Sequence, residues 1–268
     1  VRRALPQAGH RTVGAWCFAD HFGPTEAADG MAIGPHPHIG LQTVTWLVDG
    51  GLLHKDSLGS EQPIRPGQLN LMTAGHGIAH AEESLWKGHV GTTHGIQLWV
   101  ALPDETRDGA PAFEHHDDLP TVEVGFVEAT VLVGTLEGVH SPARHDTPLL
   151  GAELRAYRGE TTLELDPTFE HALVVLDGVV TVEDDDAEVA PGALALLGDG
   201  REELTLATGG DARLMLLGGT PFGTDPWMSW NFVARSKDEV RQAAADWNAG
   251  DDERFGPVES ALARIAAP

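Results

Sequence analysis

The sequence is short of cysteine, of lysine and of long hydrophobic runs, and each shortage excludes something. Cys17 is the only cysteine in 268 residues, so no intramolecular disulfide can form and nothing asks for an oxidising compartment. Lysine occurs 3 times and arginine 14 times against 41 Asp and Glu, a formal charge of −24 at pH 7. A surface of that sign repels phosphate backbones, which argues against direct nucleic-acid binding, and it mildly repels anionic substrates away from any bound metal. No stretch approaches the ~20 apolar residues of a membrane span, and the chain shows no signal-like start. The expectation is a soluble, cytoplasmic protein with no membrane contact.

What is abundant is turn chemistry. The 32 glycines and 17 prolines punctuate short β-type runs and form no disordered tract, which predicts an all-β chain. Thr43-Val44-Thr45-Trp46-Leu47-Val48 is β-branched and aromatic, and Asp49-Gly50-Gly51 closes it as a turn. Leu52–Asp56 reads as the return strand, and Leu69–Met72 opens after the Pro66-Gly67 turn. From His94 to Leu102 the residues alternate, with Ile96, Leu98 and Val100 on one face and Gln97 and Trp99 on the other. Short strands joined by turns fit a barrel or jelly roll.

Two histidine pairs sit among these strands. The first lies in Gly34-Pro35-His36-Pro37-His38-Ile39-Gly40, the second in Thr73-Ala74-Gly75-His76-Gly77-Ile78-Ala79-His80-Ala81-Glu82. Residues two apart on a strand point to one side, roughly 6–7 Å apart. His36 with His38, and His80 with Glu82, can therefore supply three nitrogens and a carboxylate oxygen to one ion if the two strands share an interior. That donor set suits iron, manganese, nickel, copper or zinc and leaves one or two positions open, as a catalytic site needs.

These motifs, with Asp20-His21-Phe22-Gly23-Pro24 upstream and His94-Gly95-Ile96-Gln97-Leu98-Trp99-Val100 downstream, resemble the pirin family. The resemblance is specific over about the first 100 residues and looser beyond them. It implies a bicupin, two tandem cupin (jelly-roll) β-barrels, with one divalent metal, usually taken as Fe(II), in the N-terminal barrel. By motif position the implied ligands are His36, His38, His80 and Glu82. Mn, Ni, Cu and Zn are the alternative metals. The general cupin pattern carries a glutamate where this chain has Gln42, so the fourth ligand is expected to be Glu82 or water. His76 is read as supporting the ligands or facing solvent, and His21 as a turn histidine.

The second half repeats the first without its chemistry. His171–Gly178 echoes Gln42–Gly50, and Ala190-Pro191-Gly192-Ala193-Leu194 echoes Arg65-Pro66-Gly67-Gln68-Leu69, a repeat of about 125 residues. No His-x-His precedes the second copy's strand and no His-x-Glu follows its Pro-Gly turn. The expected division is a metal-binding domain over 1–105 and a degenerate cupin over 121–268. Residues 103–120, with the His115-His116 pair, are expected as a solvated linker. Asp184-Asp185-Asp186 reads as an acidic hairpin turn, because it lacks the glycine and distal glutamate of a calcium loop. Ser236-Lys237-Asp238-Glu239 is a capping box opening a helix whose Val240, Ala243, Ala244 and Trp247 share one face, with Gly250 as its stop. Met228–Phe232 is expected as a buried strand returning to the first barrel.

Several pirins are similar to quercetin 2,3-dioxygenases, which cleave a flavonol ring with O2. That similarity implies a small aromatic substrate, with His36, His38 and His80 holding the ion and Glu82 serving as ligand and catalytic base. The alternative is a non-catalytic, redox-responsive iron protein that binds a transcription regulator or metabolic enzyme, a role in which the acidic surface would suit a basic protein partner. A sugar isomerase ranks third, since only Lys55 and Arg65 near the motif offer a phosphate any charge. A monomer is expected.

Overall fold

A computed structural model of the chain describes residues 1–27, 32–85, 91–182 and 187–268. The Asp184-Asp185-Asp186 run lies outside them. Ten strands form in the first 116 residues: β1 (Arg2–Leu5), β2 (Trp16–Ala27), β3 (Ile33–His38), β4 (Leu41–Asp49), β5 (Leu52–Asp56), β6 (Glu61–Ile64), β7 (Leu69–Thr73), β8 (Ile78–Ser84), β9 (Gly91–Ala101) and β10 (Ala112–His116). The chain divides into two compact units, each drawing on both ends of the sequence. One gathers Val1–His21 with Asp118–Gly223, the other Phe22–Asp117 with Thr224–Pro268.

The unit built from Phe22–Asp117 is a barrel of two sheets. One runs β2-β9-β4-β7-β10 and the other β3-β8-β5-β6. Both faces of β4 are buried from Leu41 to Leu47, which is why its Thr-Val-Thr-Trp run lacks a polar alternation. At one end of the barrel Phe22, Leu47, Leu52 and Ile64 make an apolar plug. Residues 103–120 are not all linker: Ala112–His116 is the edge strand β10, paired in register with β7. Its alternating Phe113 and His115 have a buried face to join, which a solvated connector would not.

The C-terminal segment of this unit carries the helix α1 (Lys237–Ala249). Ser236 caps it by accepting the Glu239 amide, and Gly250 ends it in the left-handed conformation. Val240, Ala243 and Trp247 are buried in one cluster with Ile39, Ala79, Phe232 and Phe255. The expected strand Met228–Phe232 is instead two short strands, Trp227–Ser229 and Phe232–Ala234. Trp230 turns between them at φ 53°.

The other unit repeats the two-sheet plan. Its six-stranded sheet runs Thr121–Val124, Val127–Val133, Leu149–Ala156, Ala212–Gly219, Glu170–Asp177 and Leu194–Gly198. The four-stranded sheet runs Gly159–Glu164, Glu203–Thr208, Val180–Val182 and Ala187–Val189. Leu150, Leu154, Leu163, Leu173, Val175, Leu204, Leu214 and Leu216 fill its interior. The chain is thus all-β, a bicupin with one C-terminal helix. Among the described residues no helix is long and apolar enough to cross a membrane.

Candidate metal centre

The two histidine motifs are locked together by their glycines. Gly40 and Gly75 both take positive φ, at 65° and 53°. A Cβ on either would meet a backbone oxygen, of Val233 or Gly109, at 2.1 Å, so only glycine fits. The Gly40 amide donates to the Gly75 carbonyl at 2.8 Å. This contact sets β3 against β8 with His36 opposite His80. Strand alternation then turns His36, His38 and His80 inward and sends Ile39 and Ala79 outward to the cluster under α1.

The result is a tight trio. One ring nitrogen from each of His36, His38 and His80 lies within 4.8 Å of the others, and all three residues are buried. The Nε2 atoms of His38 and His80 are 3.1 Å apart. The partners of the other ring nitrogens fix where the protons are. His36 Nδ1 donates to the Gly34 carbonyl at 2.9 Å, and His38 Nδ1 to the Asn231 carbonyl at 3.0 Å. Because a carbonyl only accepts, both Nε2 atoms carry lone pairs.

His80 is fixed by a two-step relay. The Asp56 carboxylate accepts from His54 Nε2 at 3.0 Å, which leaves His54 Nδ1 as an acceptor, 3.4 Å from His80 Nδ1. A proton on His80 Nδ1 is accepted by His54 and leaves Nε2 as a third lone pair; a proton on Nε2 is accepted by His38 Nε2 at 3.1 Å. Asp56 accepts amides from Leu58 and Ser60 as well. Burial pushes its carboxyl up, but the bonds from His54 and Ser60 outweigh that and hold it below its usual value.

With His80 protonated on Nδ1, three lone pairs converge where a cation would bridge them. Burial, and then the neighbouring histidines, push His38 and His80 well below the ordinary imidazole range. Burial lowers His36 to about 4, against a bond to the Gly34 carbonyl that raises it. The trio is neutral at pH 7, and a cation is what its donor set fits. This is a His-rich metal-binding site.

Glu82 lies two residues beyond His80 on β8, on the same face and opposite His54. It is buried, and burial raises its carboxyl to about 7. Its oxygens fall outside the 4.8 Å group that the three histidines form. Gln42 points away from the trio and donates to Thr73 Oγ1 at 3.0 Å. His76 is exposed, bonded through Nδ1 to the Gly109 carbonyl. His21 is not in a turn but buried in β2, opposite Arg2.

His54 and Asp56, which the motif reading passed over, are brought against His80 by the pairing of β5 with β8. Their signal was the same spacing of two, in Leu52-Leu53-His54-Lys55-Asp56.

A Pseudomonas aeruginosa protein described as a "putative quercetin 2,3-dioxygenase" is 50% identical over 272 residues, covering 100% of this chain and 85% of that protein. A pirin-like protein of Caulobacter vibrioides is 39% identical over 93% of this chain and 88% of its own length. The crystal structure of quercetin 2,3-dioxygenase from Acinetobacter baumannii superposes with a TM-score of 0.94 at 45% identity, covering 99% of this chain and 89% of that one. The family model for pirin matches residues 1–100, and that for the pirin C-terminal cupin domain matches 152–256. This chain belongs to the pirin family.

Proposed function

We propose that the chain is a mononuclear metal dioxygenase of the quercetin 2,3-dioxygenase type, acting on a flavonol or a related enol or phenol. His36, His38 and His80 would hold one divalent ion, Fe(II) in this reading, with Glu82 as fourth ligand and base. The observation that carries it is the buried trio of His36, His38 and His80, whose ligand nitrogens all lie within 4.8 Å of one another. The relatives named for this reaction support it.

A bound ion would supply Lewis acidity toward the substrate hydroxyl and an electron path to O2. The chain's own residues do the rest. Burial raises the Glu82 carboxyl to about 7 in the metal-free barrel, and a bound cation would pull it back down, leaving a carboxylate able to accept a proton. Glu82, itself buried, would take the substrate's hydroxyl proton onto a carboxylate oxygen. Trp99, edge-on to His38 at 5.3 Å, and Phe113 offer a planar aromatic substrate flat surfaces beside the trio. Among the described residues the other barrel has no such group, so one ion per chain is the reading. We read that barrel as a degenerate cupin.

The test is Glu82→Gln, which keeps the size and one oxygen donor but removes the base. Turnover of a flavonol per bound metal should fall about 10²–10⁴-fold. Near wild-type turnover per metal would remove Glu82 from the chemistry. A wild-type protein no faster than free iron would favour the redox-responsive, non-catalytic reading.

A further inference from the structure

The wall opposite the histidines carries a second pattern. Strands β9, β4, β7 and β10 lie side by side, and their register places Trp99, Thr43, Met72 and Phe113 in one row. That row faces the trio, since Trp99 meets His38 and Phe113 stacks on His54 at 4.4 Å and 10°. The next row on the same face, two residues along each strand, is Gln97, Thr45, Asn70 and His115. Four polar side chains therefore line the interior in an unbroken line, across three strand spacings of roughly 4.8 Å each.

They pair in twos and leave capacity over. Thr45 Oγ1 donates to Gln97 Oε1 at 3.0 Å, and His115 Nδ1 donates to Asn70 Oδ1 at 2.7 Å. This uses both amide carbonyls. It leaves the amide N–H donors of Gln97 and Asn70 and the lone pair on His115 Nε2, none with a partner among the described residues. Gln97 faces inward from a strand with neighbours on both sides, yet it is only half-buried. Solvent therefore reaches this part of the interior.

The other barrel shows that the fold does not require polarity here. By the internal repeat, Thr45 corresponds to Leu173 and Asn70 to Ala195, and the strand paired with Leu173 offers Leu216 where β9 offers Gln97. The equivalent row is thus Leu216, Leu173 and Ala195, packed in an apolar core. Buried polar groups cost stability where their hydrogen-bonding capacity is only partly met, so a part-satisfied polar row where Leu and Ala suffice points to a use.

We propose that Gln97, Thr45, Asn70 and His115 are the hydrogen-bonding wall of the substrate site, selecting aromatic substrates that carry hydroxyl or carbonyl oxygens remote from the metal-binding end. A phenolic hydroxyl both donates and accepts, and so matches an amide N–H donor set beside an imidazole lone pair. This assignment rests on the dioxygenase reading above and deepens it.

The experiment compares quercetin with 3-hydroxyflavone, which keeps the chelating hydroxyl and carbonyl but lacks the other hydroxyls. Both are titrated against metal-loaded wild type, Gln97→Met, Asn70→Leu and Thr45→Val, following tryptophan fluorescence, with metal content measured for each. The expected result is a preference for quercetin in wild type that shrinks tenfold or more in Gln97→Met or Asn70→Leu. 3-Hydroxyflavone binding and metal content should hold, and the loss in turnover should fall on KM more than kcat. Thr45→Val, nearly isosteric, keeps the test decisive if a larger change unfolds the barrel. An unchanged preference in the folded, metal-loaded variants overturns the wall alone. Failure of wild type to bind either flavonol overturns the dioxygenase reading and the wall with it.

Discussion

The two barrels of this chain use one backbone plan to opposite ends. In one, the inward positions of β3, β8 and β5 are His36, His38, His80, Glu82, His54 and Asp56. In the other, leucine, valine and alanine fill the interior, and its one fully buried histidine, His171, stands beside Gly218 with neither ring nitrogen partnered among the described residues. The second interior is closed by apolar side chains alone, so we expect the histidine trio to be an addition to a core that can be built without it. That sets this site apart from a zinc finger, where the ion supplies the folding energy.

The largest expected effect breaks the comparison outright. Changing His36, His38 or His80 to Ala should remove most of the metal while the circular dichroism spectrum stays native, whereas His171→Ala should leave metal content untouched. Elemental analysis of protein purified without chelators reads both, and two tightly bound ions per wild-type chain would refute the asymmetry. Next, Asp56→Asn should weaken metal affinity about 10–100-fold by freeing His54 and with it the tautomer of His80. Competition with a chelator measures that, and an unchanged affinity would show that the relay does not hold His80.

A third expectation concerns pH. In the metal-free protein His36 is depressed to about 4 from the 6.5 it has when unfolded, so the unfolded chain binds more protons between those values. Apo stability should be complete above pH 6.5 and decline as pH falls toward about 4. The decline should be smaller in His36→Ala, as denaturant midpoints across that range would show. The smallest effect belongs to Gln42→Glu. It should not supply a fourth ligand, because the side chain faces away from the trio. Burying a carboxylate in place of the neutral amide should cost at least about 1–3 kcal/mol of stability, even with the Thr73 hydroxyl turned to donate to it, with metal content unchanged.

The spacing of His36, His38, His80 and Glu82 was legible because strand periodicity is a local property. The turns at Gly50 and Gly67, the repeat and the capped helix were legible for the same reason. The wall of Gln97, Thr45, Asn70 and His115 was not, since it exists only once four strands are placed in register. His115 shows this best: between prolines and charges it reads as a loop residue, and only pairing with β7 turns it inward. The relay through His54 had a local signal, but its meaning depends on β5 lying beside β8. The hairpin turn at Trp230 had none, because tryptophan gives no hint of a positive φ.

The bond from His38 Nδ1 to the Asn231 carbonyl joins residues 193 apart, and that separation has a consequence in time. At a synthesis rate of roughly 5–20 residues per second, the backbone that fixes His38 follows it by about 10–40 s. During that interval the nascent chain carries both histidine motifs but not the carbonyl that keeps a proton on Nδ1 and the lone pair on Nε2. The helix that packs behind Ile39 and Ala79 comes later still. Whatever ion a half-made barrel meets, it meets with an unfinished set of donors. The complete donor set exists only after Asn231 has been made and folded back onto β3.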